Sequence, residues 1–236
     1  MAVEFAMSTS NRRKKAEASY NGVRATLAFL LSLVLILSLF PPLELIDYVY
    51  WSFSLGLNIG PEVFIMFSDL LLLLAGFLLA YSLGEFPSTG AWASDIQDSL
   101  YGINRHGIPS LIVAAAIIVY WHVPFVLDSA LLNFPLHVIM HLSILIAGIL
   151  IFISARLLTD RTRKIMSILG CKAMGIFGVF LLVTSGSGYN RFYSIYPLSQ
   201  QAQFGLSMMV MMFVFEGFLV PYWLYQYFTR ENLGGV

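Results

Sequence analysis

Six long apolar runs, separated by short polar stretches, organise the chain. The first covers about residues 25–40 and stops at Pro41-Pro42. It is short for a bilayer core, which takes about 20 helical residues. Residues 43–59 (LELIDYVYWSFSLGLNI) are aromatic and mildly polar, a composition that suits an interfacial or re-entrant segment better than a span. The second span is expected from Pro61 to Leu83, opened by a first-turn proline. Asp69 lies inside it, which is costly unless the carboxylate faces other helices. A polar loop over 84–107 follows, with a short surface helix expected at 94–100. The third span starts near Ile108 and runs to Trp121-His122-Val123-Pro124. There Pro124 removes a backbone hydrogen bond and should bend the helix. A turn around Asp128–Asn133 leads to Pro135, which opens a fourth span over 134–158. The fifth span is expected over 165–185 and the sixth over 203–228, with a Gly-, Tyr- and Ser-rich loop between them. The pattern predicts an all-α protein, a polytopic membrane helix bundle of about six transmembrane helices. Residues 1–24 read as a disordered tail, 25–229 as one transmembrane helical domain, and 230–236 as a short second tail.

Composition agrees and narrows the class. Apolar residues make up 58% of the chain and charged residues 11%, whereas a soluble domain is about a quarter charged. The single cysteine, Cys171, excludes an internal disulfide and any paired-cysteine metal motif. There is no phosphate-binding glycine loop, no zinc-protease histidine pair, and no basic surface suited to nucleic acid. The first apolar run is expected to be a retained anchor. Its charged leader is long, and Phe40-Pro41-Pro42-Leu43 is unlike a small-residue cleavage site.

The even net charge hides a sorting of charges. If the N-terminus is inside, the Arg12-Arg13-Lys14-Lys15 run, the 84–107 loop, the 156–172 hinge and Arg230 are all cytoplasmic. Twelve of the 13 Lys and Arg residues then lie on one side, with Arg191 the exception. The positive-inside rule therefore puts both termini in the cytoplasm, provided that 43–59 does not cross.

Three of the four histidines, His122, His137 and His141, fall between Trp121 and Gly148. Imidazoles among apolar residues in a membrane are costly enough to suggest a site. His137 and His141 are four residues apart, so they share a helix face with Cβ atoms roughly 6 Å apart. The short turn makes the third and fourth spans antiparallel neighbours, which lets His122 approach the same face. Three imidazoles suit copper, zinc, iron or nickel, and thioethers shift the preference toward Cu(I). Met208 and Met212 share one face of the sixth span at a comparable depth. Asp69 and Glu216 are candidates for an ion pair, a proton path or metal ligation, or equally for plain polar contacts within the bundle. Asp128 suits either cation attraction at the outer mouth or capping of the turn. His106 reads as a loop residue. Cys171 and Met174 lie toward the opposite membrane face.

Trp121-His122-X-Pro124, then His137-X3-His141 and Gly148, resembles the central motif of the CtaG-like cytochrome c oxidase assembly factor family. A second resemblance is Tyr196-Pro197-Leu198, then Gln200-Gln201 and Gly205 before a methionine-rich span. Together they cover about residues 108–228. Two departures mark a divergent member: relatives commonly have one more span, and Phe152 stands where tryptophan is common. The resemblance implies a membrane protein of the cell that handles copper near the extracytoplasmic face and assists assembly of a respiratory terminal oxidase. Its partners would be the lipid bilayer and an oxidase subunit. The expected metal ligands are His122, His137, His141, Met208 and Met212, with Cu(I) as cargo and no catalysis of its own. The alternative is an accessory subunit of a membrane respiratory or copper monooxygenase complex, with haem b between His122 and a histidine of the fourth span. A small transporter is a third reading, but no internal repeat or paired broken helices support it.

Overall fold

The structure is a computed structural model and describes residues 2–39, 61–85, 104, 106–186, 192–194 and 197–233. Among these the regular structure is all helical: α1 (Ala2–Leu39), α2 (Pro61–Glu85), α3 (Ile108–Trp121), α4 (Pro124–Leu132), α5 (Phe134–Leu157), α6 (Asp160–Gly186) and α7 (Leu198–Leu233). Among the described residues, five helical stretches are long and apolar enough to cross a membrane: Asn21–Leu39, Phe67–Gly84, Phe134–Leu157, Asp160–Gly186 and Leu198–Trp223. The bent pair α3–α4 makes a sixth if counted as one span. The chain is a multi-pass membrane protein. The interfacial segment expected at 43–59 and the surface helix expected at 94–100 lie outside the described residues.

Three boundaries differ from the hydropathy reading, each for a local reason. The expected tail at 1–24 is helical from Ala2 onward and continuous with the first span. Its Arg, Lys, Ala and Glu residues are strong helix formers, so polarity alone does not end the helix. The fifth span begins at Asp160 because Thr159 caps it. The Thr159 Oγ1 accepts from the Thr162 backbone N–H at 3.3 Å, and Arg163 N donates to the Thr159 carbonyl at 2.8 Å. The last helix starts early as well, where Gln200 N and Gln201 N donate to the Pro197 carbonyl.

The described helices form two compact units. One holds α1, α2 from Phe67 onward, α3, α4 and α5, and the other holds α6 and α7. In the first unit α5 is the central strut. A Cβ on Gly148 would collide with the Leu73 carbonyl, and one on Gly76 with the Leu145 carbonyl. The two helix backbones therefore touch, with Ala75 and Ala147 fully buried beside them. Lipid tails are as apolar as leucine, so close packing of small residues is what joins such helices. The Ala75 carbonyl of α2 also accepts the Ser32 hydroxyl of α1, 2.9 Å away and buried.

The start of α3 is fixed to the end of α5 by a chain of buried hydroxyls. Asn104 Nδ2 donates to Ser110 Oγ at 2.7 Å, and Ser110 and Ser154 hydroxyls meet at 2.6 Å. Ser154 in turn donates to the Leu150 carbonyl. Asn104 Oδ1 also accepts from the Ser110 backbone N–H at 3.0 Å, so one side chain both caps α3 and joins the chain. Gly107 enters this corner at φ 72°, pressed so close to the Ser154 carbonyl that a side chain would not fit. Nearby, Phe152 packs edge-on against Phe77 and Tyr81, and the Arg156 guanidinium lies 5.3 Å from its ring centroid.

In the second unit, Gly178 and Gly205 face each other, each too near the other's carbonyl to carry a side chain. Gln201 is fully buried and holds the preceding loop. Its Oε1 accepts from Phe192 N at 2.9 Å, and its Nε2 donates to the Tyr193 carbonyl at 3.0 Å. Phe192 then packs on Phe177 and Phe180.

The backbone contact between α2 and α5 gives a sharp expectation. Gly148→Val should destabilise the protein by about 3 kcal/mol or more, since carbonyls cannot move aside as side chains do. Gly170→Ala, where a Cβ meets nothing within 4 Å, should be neutral or stabilising by up to about 1 kcal/mol. Thermal unfolding in detergent, followed by size-exclusion of the surviving monodisperse protein, compares the two.

Candidate metal centre

The histidine region is shaped by the break between α3 and α4. Before Pro124 the last turn of α3 tightens. His122 N donates to the Ile118 and Val119 carbonyls, and Val123 N donates to the Tyr120 carbonyl. Val123 is extended (φ −66°, ψ 126°), as the residue before proline must be. Pro124 then opens α4, and the chain bends by 70°. The bend expected at this step is present.

Trp121 ends α3 buried, and its indole Nε1–H donates to Ser143 Oγ of α5 at 2.6 Å. A buried tryptophan needs such an acceptor. The bond fixes the bend against α5, two residues from His141, a rise of about 3 Å along that helix.

Asn133 caps α5. Its side chain accepts from Leu136 N at 3.3 Å, and its carbonyl accepts from His137 N at 2.9 Å. The turn is thus capped by Asn133, whereas Asp128 lies within α4. From the first turn of α5, His137 points along the helix toward His141. The two Nε2 atoms are 3.1 Å apart, the rings nearly perpendicular at 83° with centroids 4.6 Å apart. His141 is fully buried and His137 half-buried.

That separation has two chemical meanings. One Nε2–H can donate to the other Nε2, or both lone pairs can face one ion. Ligands on one edge of a tetrahedron, with metal–nitrogen bonds of about 2.0–2.1 Å, are about 3.3 Å apart. The observed pair lies within a few tenths of an ångström of that edge, so these two residues fit a metal ion as neighbouring ligands.

His122 is turned differently. Its Nδ1 lies 2.7 Å from the Ile118 carbonyl of its own helix. A carbonyl only accepts, so Nδ1 carries a proton, and when the ring is neutral its lone pair is on Nε2. This backbone bond is the kind that orients ligating histidines in metal sites. Even so, among the described residues no group of three or more His, Cys, Asp and Glu side chains gathers closely enough to hold an ion. The structure joins His137 with His141.

The other candidates are placed as follows. Met208 and Met212 are buried on the glycine face of α6. Met212 covers Gly175, and Met208 and Met209 cover Gly178. Their observed role is to fill the groove that the glycines leave, as flexible thioethers do. Glu216 accepts from Lys172 Nζ at 2.8 Å, so its structural partner is a lysine of the neighbouring helix. Asp69 is buried in α2. His106 is an exposed loop residue with φ 75°. Arg191 lies outside the described residues.

Sequence reading missed Ser143 and the Asn104–Ser110–Ser154 chain. The usable signal for Ser143 was Trp121 itself, whose N–H needs a partner on the facing helix.

Residues 31–229 match the model of a family described as Protein of unknown function (DUF1404). No curated protein and no solved structure matches the chain.

The tie at the bend is open to test. Trp121→Phe and Ser143→Ala should each cost about 1 kcal/mol, as for one net hydrogen bond. Combined, they should cost less than the sum, because both remove the same bond. Thermal melts of the two single variants and the double variant measure this coupling.

Proposed function

The chain belongs to the DUF1404 family, and we propose that it is a multi-pass membrane protein that binds a transition-metal ion, copper first, through His137 and His141. The observation that carries this reading is the 3.1 Å separation of the two imidazole Nε2 atoms, one of them on a fully buried ring. Burying two imidazoles in an apolar span is costly, and a bound ion offsets that cost. Imidazole is a borderline ligand that suits copper and zinc. The Trp121-His122-X-Pro124 and His137-X3-His141 pattern inclines the choice to copper and to a role in assembling a respiratory terminal oxidase. In this reading the ion is cargo. Two imidazoles supply only part of a coordination shell, so positions remain for a donor or an acceptor protein. A shell held by few protein ligands suits passing an ion on rather than storing it.

The charge sorting of the sequence supports an extracytoplasmic location. With both termini in the cytoplasm, α5 enters from the outer face, and His137 and His141 lie in its first two turns. His122 is a candidate third ligand, with its ring already oriented by the Ile118 carbonyl. Met208 and Met212 are not needed, since their packing on glycine accounts for them.

The test is equilibrium binding of Cu(I) to protein purified copper-free in mild detergent, read by competition with a chromophoric chelator. Stoichiometric binding is expected. His137→Ala/His141→Ala should abolish it, and His122→Ala should weaken it by about 10–100-fold, the range for groups that support a metal site. Met208→Leu/Met212→Leu should leave it unchanged. Absence of stoichiometric binding, or full binding by His137→Ala/His141→Ala, would sink the proposal.

A further inference from the structure

We propose that the α6–α7 unit carries a binding site for an anionic phospholipid, with its phosphate held by Arg161 and Lys164 and an acyl chain along the groove below them. Three observations meet there. The first is charge. The opening turn of α6 holds Arg161, Arg163 and Lys164 against Asp160 alone, and Asp160 is paired with Arg163 at 3.4 Å. Arg161 and Lys164 remain as cations three residues apart, hence neighbours on one helix face.

The second is the aromatic neighbour. Lys164 Nζ lies 5.9 Å from the ring centroid of Trp223 on α7. Trp223 ends the apolar stretch Leu198–Trp223, the level at which tryptophan meets lipid headgroups. The contact therefore holds the ammonium at headgroup depth.

The third is the groove. Beside Trp223, a shallow open surface groove runs between the helices, with Ile168, Leu219 and Val220 among its walls. Ile168 and Val220 are 38% and 40% exposed, so the walls stay open to an occupant. Its deep end is closed by Cys171 and Glu216, the latter paired with Lys172. From Lys164 to Cys171 the helix rises about 10 Å, enough for the upper part of an acyl chain. A basic pair above an apolar groove, at a tryptophan that marks the interface, matches a lipid whose phosphate and chain are joined. Free phosphate would use the cations and leave the groove empty.

The test uses full-length protein in mild detergent, titrated with phosphatidylglycerol or phosphatidylcholine of matched chains. Lipid adducts are counted by native mass spectrometry. The expected result is a preference for phosphatidylglycerol that falls about fivefold for each cation removed in Arg161→Gln and Lys164→Gln. Arg161→Lys/Lys164→Arg should retain it. Val220→Trp, which fills the groove, should weaken adducts of both lipids. In the wild type the preference should decline as ammonium acetate is raised, while excess inorganic phosphate should not displace the lipid. Equal binding of the two lipids by the wild type, or an undiminished preference in Arg161→Gln/Lys164→Gln, overturns the assignment. So does full displacement by inorganic phosphate. If the double variant does not fold, a salt-insensitive preference in the wild type overturns it by itself.

Discussion

The backbone contact between α2 and α5 is the constraint on which the first helical unit depends. Gly148 rests on the Leu73 carbonyl and Gly76 on the Leu145 carbonyl, with Ala75 and Ala147 buried alongside. In a bilayer no water is expelled when helices meet, so association depends on close contact and on polar groups that find partners. The glycine contact fixes one face of α5. Polar ties fix another: Ser143 takes the Trp121 indole, and Ser154 takes the Ser110 hydroxyl. With α5 held at both levels, the His137–His141 pair near its start has a rigid support. That is what a site needs if two rings are to keep a 3.1 Å separation.

The bend between α3 and α4 connects this packing to chemistry. Pro124 cannot continue the α3 hydrogen-bond ladder, and a broken backbone inside a membrane must be satisfied locally. Short bonds from His122 and Val123 to the carbonyls of Ile118, Val119 and Tyr120 do so. His122 adds its own Nδ1–H to the Ile118 carbonyl. That bond sets the orientation of the His122 ring.

Local signals were legible in the sequence and long-range ones were not. Hydropathy located the spans because it averages over about 20 residues, and Pro124 announced its bend. The i, i+4 spacing of His137 and His141 needed no tertiary knowledge, and the structure has those two rings in contact. Whether His122 joined them depended on the angle and rotation of another helix, which spacing does not encode. Glu216 found Lys172 on the neighbouring helix, a partner 44 positions away in the chain. Met208 and Met212 shared a face as expected, but that face meets glycines. A buried thioether stripe looks the same in sequence whether it faces a metal or a groove. Gln201 stood in a motif suggestive of function, and its buried amide holds the loop at Phe192 and Tyr193.

The central claim is that two imidazoles on one helix are neighbouring ligands of a single copper ion. X-ray absorption at the copper edge of the loaded, detergent-purified protein measures this most directly. The account predicts a first shell containing at least two imidazole nitrogens at about 2.0 Å, with the outer-shell scattering of rigid rings. A first shell of sulfur alone, or one whose imidazole scattering persists undiminished in His137→Ala/His141→Ala, would contradict it.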